Sequence, residues 1–211
     1  MVIRRQSLPE ASQRLMRRYE RNEAVVFRRA ADPFGGLSNM TSKFQICVAD
    51  VRTWSSEALY QACRFPHLPG LQAEILAERS PMTAKMRSKP FRDESRGDWP
   101  QVRVGVMRWC LRVKLANNWS DFGELLRSTG GRPIVEESTK DDFWGAKAEG
   151  RTALVGQNVL GRLLMELREQ LQQNPASLIA VDPPRIDGFL LLGQPVSTVV
   201  APSCGAVTRS D

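Results

Sequence analysis

The chain has 211 residues, 42% hydrophobic and 25% charged, and its 30 Lys and Arg against 23 Asp and Glu give a formal charge of +7. That length holds one sizeable core plus extensions; with no run of about eighteen apolar residues and no apolar stretch in Met1-Val2-Ile3-Arg4-Arg5-Gln6, it reads as a cytoplasmic protein with no membrane partner. Cys47, Cys63, Cys110 and Cys204 are scattered without a C-x-x-C pair and His67 is the only histidine, which argues against a zinc site, a disulfide framework or a His-dependent triad and leaves carboxylates and a lysine to carry any chemistry.

Residues 10–23 place Leu15, Met16 and Tyr19 in helical register between arginines and predict an amphipathic helix, so residues 1–26 are expected to be an N-terminal basic helix. Residues 27–32 read as a short strand ending at Pro33, and Gly35-Gly36 as a turn that permits close backbone approach. Residues 44–48 alternate like a strand and 50–54 turn it back. Ser55 or Ser56 then caps a helix through Phe65, with Glu57 in its first turn, where the helix dipole favours a carboxylate. A capping glutamate needs no further role.

Residues 71–79 predict a helix, and Pro81 begins the next behind a Ser80 cap, with Lys85 on it. The polar, basic stretch 87–97, containing Pro90, is expected to be a mobile loop. Residues 100–118 predict a helix whose Val102, Val106, Trp109, Cys110 and Val113 face the core, while Arg108 and Arg112 stand one turn apart elsewhere. A shorter helix over 120–129 closes at Gly130-Gly131, and 133–137 reads as a strand. Val159, Leu160, Leu163, Leu164, Leu167 and Leu171 define the last long helix, in which Gly161 allows close packing. Past Pro175 the runs 189–192 and 196–201 could pair as a hairpin.

Charge is concentrated in two places. Residues 79–114 carry ten basic side chains against Asp93, Glu94 and Asp98, and residues 1–30 carry eight arginines against three glutamates. Such surface favours a phosphate-bearing partner, the alternative being ordinary solvated helix faces.

Six segments recur in one order: Phe34-Gly35-Gly36-Leu37-Ser38-Asn39, Ser55-Ser56-Glu57 running on to Tyr60-Gln61-Ala62, Ser80-Pro81-Met82 with Ala84-Lys85, Asp98-Trp99, Asp141-Asp142-Phe143-Trp144-Gly145, and Gly156-Gln157-Asn158 with Leu160-Gly161. Together they resemble the NADAR family, whose members include an N-glycosidase of riboflavin-biosynthesis intermediates and enzymes that remove ADP-ribose from guanine in DNA. The resemblance implies an α+β fold, a mostly helical single domain with a small β-sheet, over residues 27–173, followed by an extension over 174–211 that could hold a β-hairpin.

It also implies roles. Glu57 matches the glutamate of the family's S-E-H-Y-Y-Q-A pattern and would stabilise an oxocarbenium-like sugar or activate water. Ala58 stands where that pattern has His, Leu59 where it has an aromatic and Arg64 where Lys is common. Asp141 matches the aspartate of D-x-x-W-G and would position water, hold a ribose hydroxyl or share a proton with Glu57, with Asp142 as the neighbouring alternative. Trp144 is read as a pocket wall, and Trp99 as pocket or core. Gly36, Ser38, Asn39, Gln61, Gly145 and Asn158 belong to the same motifs and are read as substrate contacts, with a capping role open for Asn39 and Asn158. Lys85 would form a Schiff base or contact phosphate, the second being preferred. The family's A-K-x-x-G-R has lost its Gly-Arg here, so Arg87, Lys89 and Arg92 are the candidates for phosphate or nucleic-acid contact. The implied activity is metal-independent and cofactor-free hydrolysis that removes ADP-ribose from guanine in DNA, with a cognate ADP-ribosyltransferase toxin as partner. The alternatives are an N-glycosidase of phosphorylated riboflavin intermediates and a binding module without turnover.

Overall fold

The long helix expected over residues 100–118 becomes the axis of the molecule. In the computed structural model, which describes residues 15–201, helix α4 (Trp99–Asn117) buries Val106, Met107, Trp109, Cys110, Leu111, Val113 and Leu115. Against it pack α1 (Ser56–Ala62), α5 (Trp119–Ser128) and α6 (Val159–Gln173), the last through the leucine stripe read from the sequence. Helices α2 (Pro69–Ala77) and α3 (Pro81–Ser88) form a further layer beside α1. Their starts follow local chemistry. Ser55 Oγ accepts the Ala58 N–H at 3.1 Å, Ser80 Oγ accepts the Thr83 N–H at 3.3 Å, and Pro69 and Pro81 occupy first-turn positions where no N–H is needed.

The strands are short. β1 (Arg17–Glu20), β7 (Ala153–Gly156) and β6 (Lys147–Glu149) form an antiparallel sheet with β7 central, and β2 (Val25–Phe27) pairs parallel with β5 (Ile134–Glu136), Val25 opposite Ile134. β3 (Ile46–Val48) and β4 (Val51–Thr53) make a hairpin whose two turn residues, Ala49 and Asp50, both have positive φ, at 50° and 59°. The architecture is α+β and mostly helical, as the motifs implied. Among the described residues no helix is long and apolar enough to cross a membrane.

Four local expectations need correction. The described part of the N-terminal basic helix is not helical: residues 17–20 are β1, with Arg17 and Arg18 exposed and Tyr19 buried beside Ala24, Val135, Ala146 and Leu154. Pairing with β7 outweighs a helical register resting on three residues, and Leu15 is left 52% exposed. Residues 1–14 of that reading lie outside the described residues. The strand expected over 27–32 ends at Phe27, because Asp32 Oδ2 accepts the N–H groups of Arg28 (2.8 Å) and Arg29 (2.7 Å) and folds the chain back. In place of a loop over 87–97, α3 continues to Ser88 and a 3-10 helix, Lys89–Glu94, takes Pro90 into its first turn.

Beyond residue 173 the two apolar runs do not pair with each other. β9 (Leu190–Leu191) pairs with β10 (Gln194–Pro195) across a turn in which Leu192 and Gly193 have positive φ, and β11 (Val199–Val200) pairs with β8 (Ala180–Val181). Phe189, Leu191, Val196 and Ala201 join the main core. Gln72, fully buried on α2, fastens this segment: its Nε2 donates to the carbonyls of Ala62 and Leu190, both at 3.0 Å, and its Oε1 accepts the Leu192 N–H at 2.6 Å.

Candidate active site

Helix α1 presents Glu57, Tyr60 and Gln61 on one face, at the spacing that makes side chains neighbours on a helix. They form one wall of a cavity of about 350 Å³, closed by Lys85 of α3, Trp99 and Arg103 of α4, Glu136 of β5, and Asp141 and Trp144 of the loop after it. Glu57 is 6% exposed. Its Oε1 accepts from Gln61 Nε2 at 2.9 Å, and Gln61 Oε1 accepts from Ser88 Oγ at 2.9 Å, so the carboxylate is oriented by a relay running back to α3. Burial pushes the Glu57 pKa up, while the Lys85 ammonium and the Gln61 amide favour its ionised form.

Glu136 completes a cluster of three acids. Burial first, then the charges of Glu57 and Asp141, push its pKa up to about 7, with Lys85 acting the other way. Asp141 Oδ1 accepts the N–H groups of Phe143 and Trp144, both at 2.9 Å, which shapes the turn that brings the indole to the cavity. Tyr60 lies between the two tryptophans, 5.0 Å from Trp99 and 5.7 Å edge-on from Trp144. Burial, then Glu57, raises its hydroxyl pKa, so the phenol keeps its proton. Asn39 reaches the cavity from the loop before β3 and its Oδ1 accepts from Ser56 Oγ at 2.9 Å. Among the described residues no three His, Cys, Asp or Glu side chains are grouped to hold a metal ion.

Of the residues singled out in the sequence, Asn39, Glu57, Gln61, Lys85, Arg92, Trp99, Asp141 and Trp144 line this one cavity. Six others do not. Gly36 and Ser38 offer their carbonyls to the Lys114 ammonium, at 2.8 and 3.1 Å, beneath the loop that carries Asn39. Gly145 approaches β5 so closely that a Cβ there would stand 2.5 Å from the Glu136 carbonyl oxygen. Asn158, buried and at φ 49°, donates to the Ile134 carbonyl at 2.8 Å and accepts the Glu136 N–H at 3.2 Å, so it clamps the strand bearing Glu136 and does not line the cavity. Arg87 pairs with Glu74 and Glu78, and Lys89 is exposed away from the lining. Asp142 pairs with Lys147 at 2.6 Å and lies outside the cavity lining, which Asp141 joins.

The sequence reading had assigned no site role to Tyr60, Arg64, Arg103 or Glu136. For Glu136 a signal existed: the alternation of β5 puts it on the same face as Ile134, which joins the main core, while Val135 faces the smaller cluster under β1 and β7. Tyr60 follows Glu57 by three residues on the same helix face. Ala58 and Leu59, which depart from the family pattern, are fully buried in the core and leave the cavity wall untouched.

Comparison with known proteins places this geometry. The model of the NADAR domain matches residues 26–172. N-glycosidase YbiA of Escherichia coli is 37% identical over 152 residues, covering 70% of this chain and 88% of that protein. The NMR structure of the same protein superposes with a TM-score of 0.62, at 31% identity, over 74% of this chain and 93% of that one. A riboflavin biosynthesis protein of Vibrio vulnificus is 37% identical over 126 residues, 59% of this chain, and the chain spans only 33% of that larger protein's length. On a family model spanning most of the chain and on this likeness of sequence and fold, the chain belongs to the NADAR domain family.

Proposed function

We propose that the chain hydrolyses an N-glycosyl bond between a ribose-like carbon and a ring nitrogen. The observation that carries this reading is a pair of carboxyl groups, the buried Glu57 and the half-buried Glu136, facing one cavity in unlike surroundings. Burial raises the Glu57 pKa, but the Lys85 charge and the Gln61 amide act against that rise; Glu136 has the charges of Glu57 and Asp141 adding to its burial and holds its proton near neutrality. As the carbon–nitrogen bond lengthens, positive charge grows on the sugar and Glu57 stabilises it. Glu136 gives its proton to the departing nitrogen, and water, oriented by Asp141, forms the new carbon–oxygen bond and returns a proton to Glu136. Trp144 and Tyr60 supply flat apolar walls for the ring on that nitrogen.

As substrate we propose first ADP-ribose attached to guanine in DNA. A cavity of about 350 Å³ is at the small end for ligand sites, so it takes the scissile sugar and its nearest groups, and the rest of a DNA substrate would run over the exposed basic side chains of Lys85, Lys89 and Arg92. In that case the cell would also hold the ADP-ribosyltransferase that the protein opposes. The second reading, favoured by the names of its N-glycosidase and riboflavin biosynthesis relatives, is hydrolysis of a phosphorylated riboflavin intermediate. Offering the two substrates side by side, with chelator present, separates these readings: free ADP-ribose supports the first, free ribose phosphate the second. Tight binding of either with no product would indicate a binding module.

A further inference from the structure

Resting on the N-glycosidase reading, we propose that Arg64, Arg92 and Arg103 form a seat for a phosphate group of the substrate, on the part of the cavity served by Tyr60 and Trp99. All three line the cavity, and among the described residues none forms an ion pair with a carboxylate. Arg108 and Arg112, further along α4, and Arg87 on α3 each have an acidic partner. Arg103 Nε is buried without any hydrogen-bond partner, a state that costs free energy until an acceptor arrives.

The guanidinium groups are held ready. Arg103 lies 3.9 Å from the Phe143 ring centre; Arg64 lies 5.6 Å from that of Trp99 and donates from Nε to Ser95 Oγ at 2.6 Å, keeping its terminal nitrogens for a ligand. After burial and the opposing effect of Tyr60, the charges of Arg92 and Arg103 bear on Arg64, a crowding of like charge that a bound dianion relieves. Glu57, Arg103 and Arg64 all act on the Tyr60 hydroxyl and line the same cavity, so the acids and the arginines share one space. Both a ribosyl 5′-phosphate and the diphosphate of ADP-ribose present the phosphate chemistry of this seat.

The test is calorimetric titration with inorganic phosphate and with pyrophosphate. The wild type should bind at least one, and Arg92→Gln and Arg103→Gln should each weaken binding about tenfold or more, from loss of a charge-assisted hydrogen bond. Arg18→Gln, a charge-matched control on β1, should bind as the wild type does. Arg92 is exposed, so its variant reports even if Arg103→Gln fails to fold. Pyrophosphate binding at least tenfold tighter than phosphate assigns the seat to a diphosphate, and equal binding assigns it to a monoester. Absence of binding to either anion, or equal binding by all variants, overturns the seat. Arginine-dependent binding with no cleavage of any N-riboside leaves the seat standing and removes the N-glycosidase reading; cleavage of phosphorylated and dephosphorylated N-ribosides at equal kcat/KM does the reverse.

Discussion

Replacing Glu136 by Gln should make the protein more stable and nearly inactive, and both effects follow from one carboxyl group. An ordinary value of 4.5 raised to about 7 means that ionising Glu136 in the folded protein costs about 3 kcal/mol more than in the unfolded chain. Below pH 4.5 the group is protonated in both states and costs nothing. Between pH 4.5 and 7 the folded state holds a proton that the unfolded state has lost, so stability falls with rising pH; above 7 the full cost is present. Gln cannot ionise. Chemical denaturation of wild type and Glu136→Gln at intervals from pH 4.5 to 8.5 should give curves that coincide at the acid end and diverge to as much as 3 kcal/mol in the variant's favour by pH 8, a ceiling because the cavity opens to solvent. Turnover of the variant should fall about 10²- to 10⁴-fold, the range for loss of a general acid, and wild-type turnover should decline as pH rises through 7. A stability difference that does not change with pH, or a variant with wild-type turnover, would refute the reasoning.

Lys114 offers a test of opposite sign. Its fully buried ammonium has its pKa pulled down to about 7 by burial, although the Gly36 and Ser38 carbonyls and the faces of Phe44 and Phe122 partner the charge. The folded state therefore binds fewer protons than the unfolded state from pH 7 to 10.5, and stability should rise across that window in the wild type and lose that rise in Lys114→Met, as thermal melts at pH 6.5 and 9.5 would show. Asn158→Ala breaks one buried and one part-buried hydrogen bond to β5 and should cost about 2–4 kcal/mol in urea unfolding, together with turnover, because Glu136 shifts with its strand. Gly145→Ala should be comparably damaging, since its Cβ would meet the Glu136 carbonyl oxygen; a melting temperature within a degree of wild type would contradict the close packing. Ser55→Ala should cost about 1 kcal/mol through loss of the α1 cap.

The sequence was most legible where one element decides its own fate. The stripes of α4 and α6 and the caps Ser55 and Ser80 are local, and each appears in the structure close to its expected place. β1 was misread because its strand character comes from pairing with β7, more than 130 residues away along the chain. The ordered motifs located most of the cavity, but they could not separate residues that touch it from residues that build it. Gly145 follows Trp144 and Asn158 precedes Leu160 by two residues, both of which line the cavity, yet Gly145 and Asn158 themselves are spent on holding β5. Glu136 and the three arginines were hidden for a related reason: only the parallel pairing of β2 with β5 and the packing of α1 on α4 bring them to one space.

The most direct test of the whole account is product release by wild type and Glu57→Gln, followed by mass spectrometry, on an oligonucleotide bearing ADP-ribosylated guanine and on a phosphorylated riboflavin-precursor N-riboside, with chelator present throughout. Wild type should free the sugar from one of them, and Glu57→Gln should still bind that substrate but release nothing measurable. Wild-type rates in Glu57→Gln, or no release from either substrate by the wild type, would contradict a carboxylate-driven cleavage of an N-glycosyl bond.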